Sequence, residues 1–148
     1  MSHTTGSPTR QLIIAVIAAW NAHDSVRAAQ FYAPEYEGVN VGEAAPHYGR
    51  DGILRGLDAY FAAIPDLRFT CDEVVIEEER AVVVWTASGT HQGRLMRIPP
   101  TGRAVQVRGV SVFATHDGLI VRGLHVWDVA GLLRNLRLLP DLRPADAS

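Results

Sequence analysis

Apolar residues follow two different periods along this chain. In the first part, Leu12, Ile13, Val16, Ile17 and Trp20 fall on one face of an amphipathic helix. Asn21-Ala22-His23-Asp24 interrupts it, and Asp24 or Ser25 can cap a short second helix that runs to Phe31-Tyr32 and ends at Ala33-Pro34. Tyr36 to Val41 reads as a short strand. Gly49-Arg50-Asp51-Gly52 opens a third helix with Asp51 as its expected N-cap. Ile53, Leu57, Tyr60, Phe61 and Ile64 then repeat at helical spacing until Pro65 stops them.

The second part alternates with period two. Leu67 to Ile76, Ala81 to Arg94, Arg103 to Ala114 and Leu119 to Trp127 read as long strands. They are joined across Glu77-Glu78-Glu79-Arg80, Pro99-Pro100-Thr101-Gly102 and His116-Asp117-Gly118, the last a hairpin turn for which one form is a three-residue loop with a bulge at Gly118. Leu132, Leu133, Leu136 and Leu139 return to helical spacing before Pro140. Helices followed by a run of antiparallel strands is an α+β plan. The expected fold is a cone-shaped barrel: three N-terminal helices on a strongly curved, mainly antiparallel sheet, with a short C-terminal helix and a blind pocket between the layers. Residues 9–141 are expected to form one domain, with 1–8 and 142–148 as flexible termini.

Composition narrows the partners. The chain has 148 residues, 47% of them hydrophobic, enough for one sizeable core. Charged residues make up 20% and the net charge is -2, which gives no footprint for nucleic acid or an anionic membrane. Every basic residue is Arg, so lysine Schiff-base chemistry is excluded. Cys71 stands alone and cannot form an internal disulfide; within its strand it is expected to be a buried small apolar residue. Met1 to Arg10 is polar with no apolar h-region, and no stretch approaches membrane-spanning length, so a cytoplasmic location is expected. No His-x-His or His-x-x-x-His pair, Gly-rich phosphate loop or Gly-x-Ser-x-Gly elbow occurs, so no metal and no other cofactor is expected. The apolar stretch Ala81 to Trp85 is too hydrophobic for a solvated face and points to a homodimer.

Four segments resemble the SnoaL-like polyketide cyclase and ester cyclase family, within the nuclear transport factor 2-like superfamily. They are Ile64-Pro65-Asp66-Leu67-Arg68-Phe69, Trp85 to Gly93, Ile98-Pro99-Pro100-Thr101-Gly102-Arg103, and Trp127-Asp128-Val129-Ala130-Gly131-Leu132-Leu133-Arg134. The resemblance implies a cofactor-independent enzyme that closes a ring by an aldol step on an apolar or aromatic carbonyl or ester substrate. Relatives on the same fold isomerise, dehydrate, open epoxides, assist hydroxylation or only hold ligands. It also places the family's acid–base Asp at His125 and a family His at Ser111, so this chain departs from the pattern at both positions.

An aldol closure needs a proton removed beside a carbonyl and donors at the enolate oxygen. His91, His125 and Asp128 are the candidate catalytic residues. Strand alternation places Trp85, Ala87, Gly89 and His91 on one face, where His91 is either a pocket residue or a structural histidine. His125 and Trp127 share a face of the last strand, joined by Gly109 and Ser111 if the hairpin bulges. Asp128 is either a base with a raised pKa or the N-cap of the last helix. Trp127, Tyr60, Ser111, Trp85 and Trp20 are the candidate substrate contacts. His3 and His23 are expected at the surface, His116 in a turn, and His47 in a loop within reach of the pocket rim. The alternatives are an epoxide hydrolase or hydroxylation accessory enzyme on the same fold, and a protein that only holds a small apolar or aromatic molecule.

Overall fold

A computed structural model describes residues 6–142. The termini expected to be flexible, and His3, expected at the surface, lie outside these residues apart from Gly6 to Pro8 and Leu142. There Ser7 and Pro8 are part of the first helix boundary rather than a flexible lead. Ser7 accepts the Arg10 N–H at 3.1 Å and Pro8 opens α1 (Pro8–Asn21). Asp24 caps α2 (Ser25–Ala29) through the Arg27 N–H at 3.0 Å. The chain then leaves the helix earlier than its apolar residues suggest, because β1 (Tyr32–Asn40) is already paired with the last strand at Tyr32. A two-residue strand β2 (His47–Tyr48) precedes α3 (Gly49–Ala63). Asp51 lies in the first turn of α3 and not at its cap, which is Tyr48, because Gly49 takes a positive φ at the entry.

β3 (Arg68–Glu77), β4 (Arg80–Thr90), β5 (Ala104–His116) and β6 (Leu119–Trp127) form an antiparallel meander, and α4 (Val129–Asn135) follows. The sheet order is β2-β1-β6-β5-β4-β3, and only the β1–β6 pair is parallel. The curved sheet stays open, with β2 and β3 as its edges, so the expected cone is not a closed barrel. α1 packs on β3 and β4, α3 on β1 and β2, and α4 on β5, all across one face. That face carries the core residues Tyr36, Val83, Phe113 and Ile120, and α1 brings Ile13 and Trp20 to the same core.

The β5–β6 hairpin sets the phase of the last strand. Its turn is the two residues Asp117 and Gly118, both at positive φ, the geometry that matches strand twist. The extra residue sits further along: Thr115 pairs with Ile120 but Ala114 with Arg122, so Val121 is bulged. The expected bulge at Gly118 is therefore corrected in position, while the pairing it implied is present. Ser111 lies opposite His125 and Gly109 opposite Trp127.

Other expectations change too. Ala81, Val83 and Trp85 turn inward and are buried, so the outer face of β4 is Val82 and Val84. Cys71 is exposed on the edge strand β3 beside a register shift, not buried. His23 is half-buried: its ring stacks on Phe61 at 4.2 Å and its Nε2 lies 2.6 Å from the Leu67 carbonyl. α4 stops at Asn135, and Leu139 lies exposed beyond it. Among the described residues, no helix is long and apolar enough to cross a membrane.

Candidate functional site

Between the helices and the sheet lies a cavity of about 180 Å³, the scale of one or two aromatic rings. Its walls are mostly apolar, with Trp20, Leu57, Phe69, Ala87, Val107 and Leu132 among them. Two hydrogen-bonded chains bring polar atoms into it.

The inner chain runs through buried β-strand residues. Trp85 Nε1–H donates to Ser111 Oγ at 2.9 Å, and Ser111 Oγ lies 2.7 Å from His125 Nδ1. Ser111 is 1% exposed, and its hydroxyl hydrogen has no other acceptor among the described residues. That hydrogen therefore goes to His125 Nδ1, which puts the ring's own hydrogen on Nε2. Burial, with a smaller contribution from His47, lowers the His125 pKa to about 4, so the ring is neutral at pH 7.

His47 faces this chain from β2. Its ring stands 6.3 Å from that of His125, and its Nε2 is 3.4 Å from the Tyr36 hydroxyl. Its Nδ1 is buried without a partner. Burial lowers the His47 pKa, and the Glu43 carboxylate partly offsets this. The three side chains meet over a pair of glycines, Gly38 on β1 opposite Gly123 on β6. A Cβ on Gly38 would sit 2.5 Å from His47 Nε2, and one on Gly123 would sit 2.5 Å from the Tyr36 hydroxyl and 3.1 Å from His125 Nε2. Glycine at both positions leaves the space in which these polar atoms converge.

The outer chain lies at the mouth. Trp127 Nε1–H and Gly42 N–H donate to Asn40 Oδ1 at 2.7 and 2.8 Å. Asn40 Nδ2 donates to the Tyr60 hydroxyl at 3.3 Å, and Tyr60 donates to Glu43 Oε2 at 2.8 Å. Burial and the Glu43 carboxylate raise the Tyr60 pKa well above its usual value, so the phenol keeps its proton.

A model of the SnoaL-like polyketide cyclase family matches residues 10–136. The chain belongs to that family. No curated protein matches it. Among solved structures, TsrD from Streptomyces laurentii is 28% identical with a TM-score of 0.80, covering 94% of this chain and 99% of that one. AclR from Streptomyces galilaeus, a candidate hydroxylase, is 27% identical with a TM-score of 0.80, over 91% of this chain and 84% of that one. IdmH from Streptomyces antibioticus, a candidate polyketide cyclase, shares the fold at 24% identity and a TM-score of 0.76, over 87% and 98% of the two chains.

In this SnoaL-like chain, His125, Ser111, Trp85, Trp127, Tyr60 and Trp20 all line the cavity. His91 and Asp128 do not. β4 ends at Thr90, where the Asp66 carboxylate takes the Thr90 N–H at 2.7 Å and its hydroxyl at 2.9 Å; His91 follows, with its N–H donating to the Arg103 carbonyl at 2.9 Å and its carbonyl accepting from the Gly102 N–H at 2.8 Å. The His91 ring is fully buried and its Nδ1 is held by Thr101, at 3.0 Å from the hydroxyl and 3.3 Å from the N–H, which fastens the loop between β4 and β5. Asp128 is exposed and accepts the Gly131 N–H at 2.8 Å as the N-cap of α4. Among the described residues no cluster of three metal-binding side chains occurs. Sequence reasoning missed Asn40, Glu43 and Tyr36. Asn40 two residues before Gly42 is the local signal of the turn that delivers Glu43 to the mouth.

Proposed function

We propose that this protein binds an apolar or aromatic carbonyl compound in the cavity and acts on it by cofactor-independent acid–base chemistry of the aldol-cyclisation kind. The observation that carries this is the Trp85–Ser111–His125 chain, which holds a neutral imidazole, with its hydrogen on Nε2, in the lining of a mostly apolar cavity. A neutral imidazole donor stabilises an enolate oxygen without carrying a competing acid. His47 Nε2 takes the proton from the carbon beside the carbonyl; its 3.4 Å contact with Tyr36 is long enough for a substrate proton to replace. The enolate pair then bonds to a second carbonyl carbon, and the new alkoxide recovers the proton from His47. His91 and Asp128 have no part in this reading.

The test is exchange of the C2 hydrogens of 1-tetralone in heavy water, followed by mass spectrometry. Wild type should accelerate exchange, and His125→Gln and His47→Gln should each lower the rate at least tenfold while staying folded. Equal rates in all three proteins would remove both histidines from the reaction. A second reading, a carrier that holds its ligand unchanged, is favoured by the mostly apolar walls. Tight binding of 1-tetralone with no exchange would establish it.

The protein is also proposed to pair with a second copy through the outer sheet face. Val39, Leu124, Val112, Val82 and Val75 form one row across five strands, and Val39, Leu124 and Val75 are exposed. Light scattering at micromolar concentration should give a dimer mass, and Leu124→Arg should give a monomer.

A further inference from the structure

The two hydrogen-bonded chains end in groups of opposite character, and this carries an inference about the ligand. In the inner chain every hydrogen is passed toward the cavity: indole to serine, serine to imidazole, leaving His125 Nε2–H as the terminal group. That end offers a ligand a donor. In the outer chain the hydrogens also pass away from the indole, but they end on a carboxylate: indole and Gly42 N–H to Asn40, Asn40 to Tyr60, Tyr60 to Glu43. Asn40 Oδ1 receives two donors and the Tyr60 hydrogen is spent on Oε2, so what remains for a ligand is the second hydrogen of Asn40 Nδ2 and, as the charged acceptor, the second oxygen of Glu43. That end offers an acceptor. Among the described residues, Glu43 is also the one formally charged side chain lining the cavity, and no arginine lines it.

We propose that the site selects an uncharged or cationic ligand that carries a carbonyl at its inner end and a hydroxyl or amine at its outer end, with Glu43 as the specificity-determining residue and Tyr60 as its positioning residue. This rests on the reading of His125 as the carbonyl's partner. A carboxylate or phosphate at the outer end meets the Glu43 charge with no cation in the lining to compensate, whereas a hydroxyl or ammonium meets an acceptor already oriented by Tyr60.

Four neutral or anionic probes test it by calorimetry: 1-tetralone and its 6-hydroxy, 6-methoxy and 6-carboxy derivatives. Wild type should bind the 6-hydroxy compound at least tenfold tighter than the 6-methoxy compound, and the 6-carboxy compound most weakly. Glu43→Gln should bring the 6-carboxy affinity within about threefold of the 6-methoxy one. Tyr60→Phe should reduce the ratio of 6-hydroxy to 6-methoxy affinity at least about threefold. Equal affinity for the 6-hydroxy and 6-carboxy compounds in wild type, or a ratio unchanged in Glu43→Gln, overturns the proposal. If wild type does not bind 1-tetralone itself, the carbonyl reading of the cavity fails and the proposal with it. Binding of 1-tetralone with flat selectivity leaves the cavity reading standing and removes Glu43 alone.

Discussion

Two chains of hydrogen bonds serve the same cavity, and each begins at a tryptophan indole. The inner one, from Trp85, is built entirely from side chains on adjacent strands, with Ser111 and His125 locked in register by β-pairing. The outer one, from Trp127, crosses from β6 to β1, to a loop and to α3. Sheet pairing fixes the first to within a narrow geometry, while the second ends on an exposed carboxylate whose position depends on one turn. A buried chain is costly to break and slow to change; an exposed one can alter what it recognises at little cost in stability.

The largest difference should appear in acid. Burial lowers the pKa of both His125 and His47, so the unfolded chain binds more protons than the native one below pH 6.5. Stability is fully present above that value and should fall between pH 6.5 and about 4, by no more than about 3 kcal/mol from His125. Urea unfolding at a series of pH values should show this slope, and His125→Gln should flatten it. An unchanged slope in the variant would place the effect elsewhere.

Next in size is Ser111→Ala. It strands the Trp85 N–H and His125 Nδ1 in a buried place, and should cost about 2 kcal/mol in urea unfolding. A loss under about 0.5 kcal/mol would mean the inner chain is not the rigid one.

The outer chain should fail at the opposite end of the pH scale. The Tyr60 pKa is raised, so stability present below pH 10 is lost as the pH climbs past it. Tyr32 and Tyr36 are raised too, so Tyr60→Phe should reduce the alkaline loss and not abolish it. At pH 7 the same variant should change stability by less than about 1 kcal/mol. Smallest of all, Asp128→Asn lies outside both chains and should keep stability within about 0.5 kcal/mol and leave tetralone exchange untouched, because Asn caps as well as Asp. Loss of exchange in that variant would return Asp128 to the site.

The same contrast separates what the sequence made legible from what it did not. Strand alternation is a strict rule, and it placed Trp85, Ser111, His125 and Trp127 on the cavity face. It also put His91 on the buried side, where the ring is, but Thr101 holds that ring in the loop beyond β4 and outside the cavity lining. The outer chain had no period to follow. Asn40 and Glu43 sit where β1 gives way to a turn, and their roles depend on Trp127, which is 87 residues from Asn40. Tyr36 was visible as an aromatic strand residue, but its meeting with His47 depends on Gly38 and Gly123, and the parallel β1–β6 pair that aligns them has no local signature. For Asp128 both readings were compatible with its position before a helix, and only the Gly131 N–H decides which is realised.

The Val121 bulge bears on how this strand can evolve. If the hairpin zipped regularly from Asp117-Gly118, Ser111 would meet Leu124, and His125 and Trp127 would turn to the outer face. Val121 is thus the one residue of β6 whose removal leaves the partners of His125 and Trp127 as they are. An insertion or deletion between Arg122 and Leu124 would instead exchange the two faces, sending the histidine outward and the valine–leucine row inward. Length variation in homologous sequences should therefore be tolerated at Val121 and purged over the three residues that follow it.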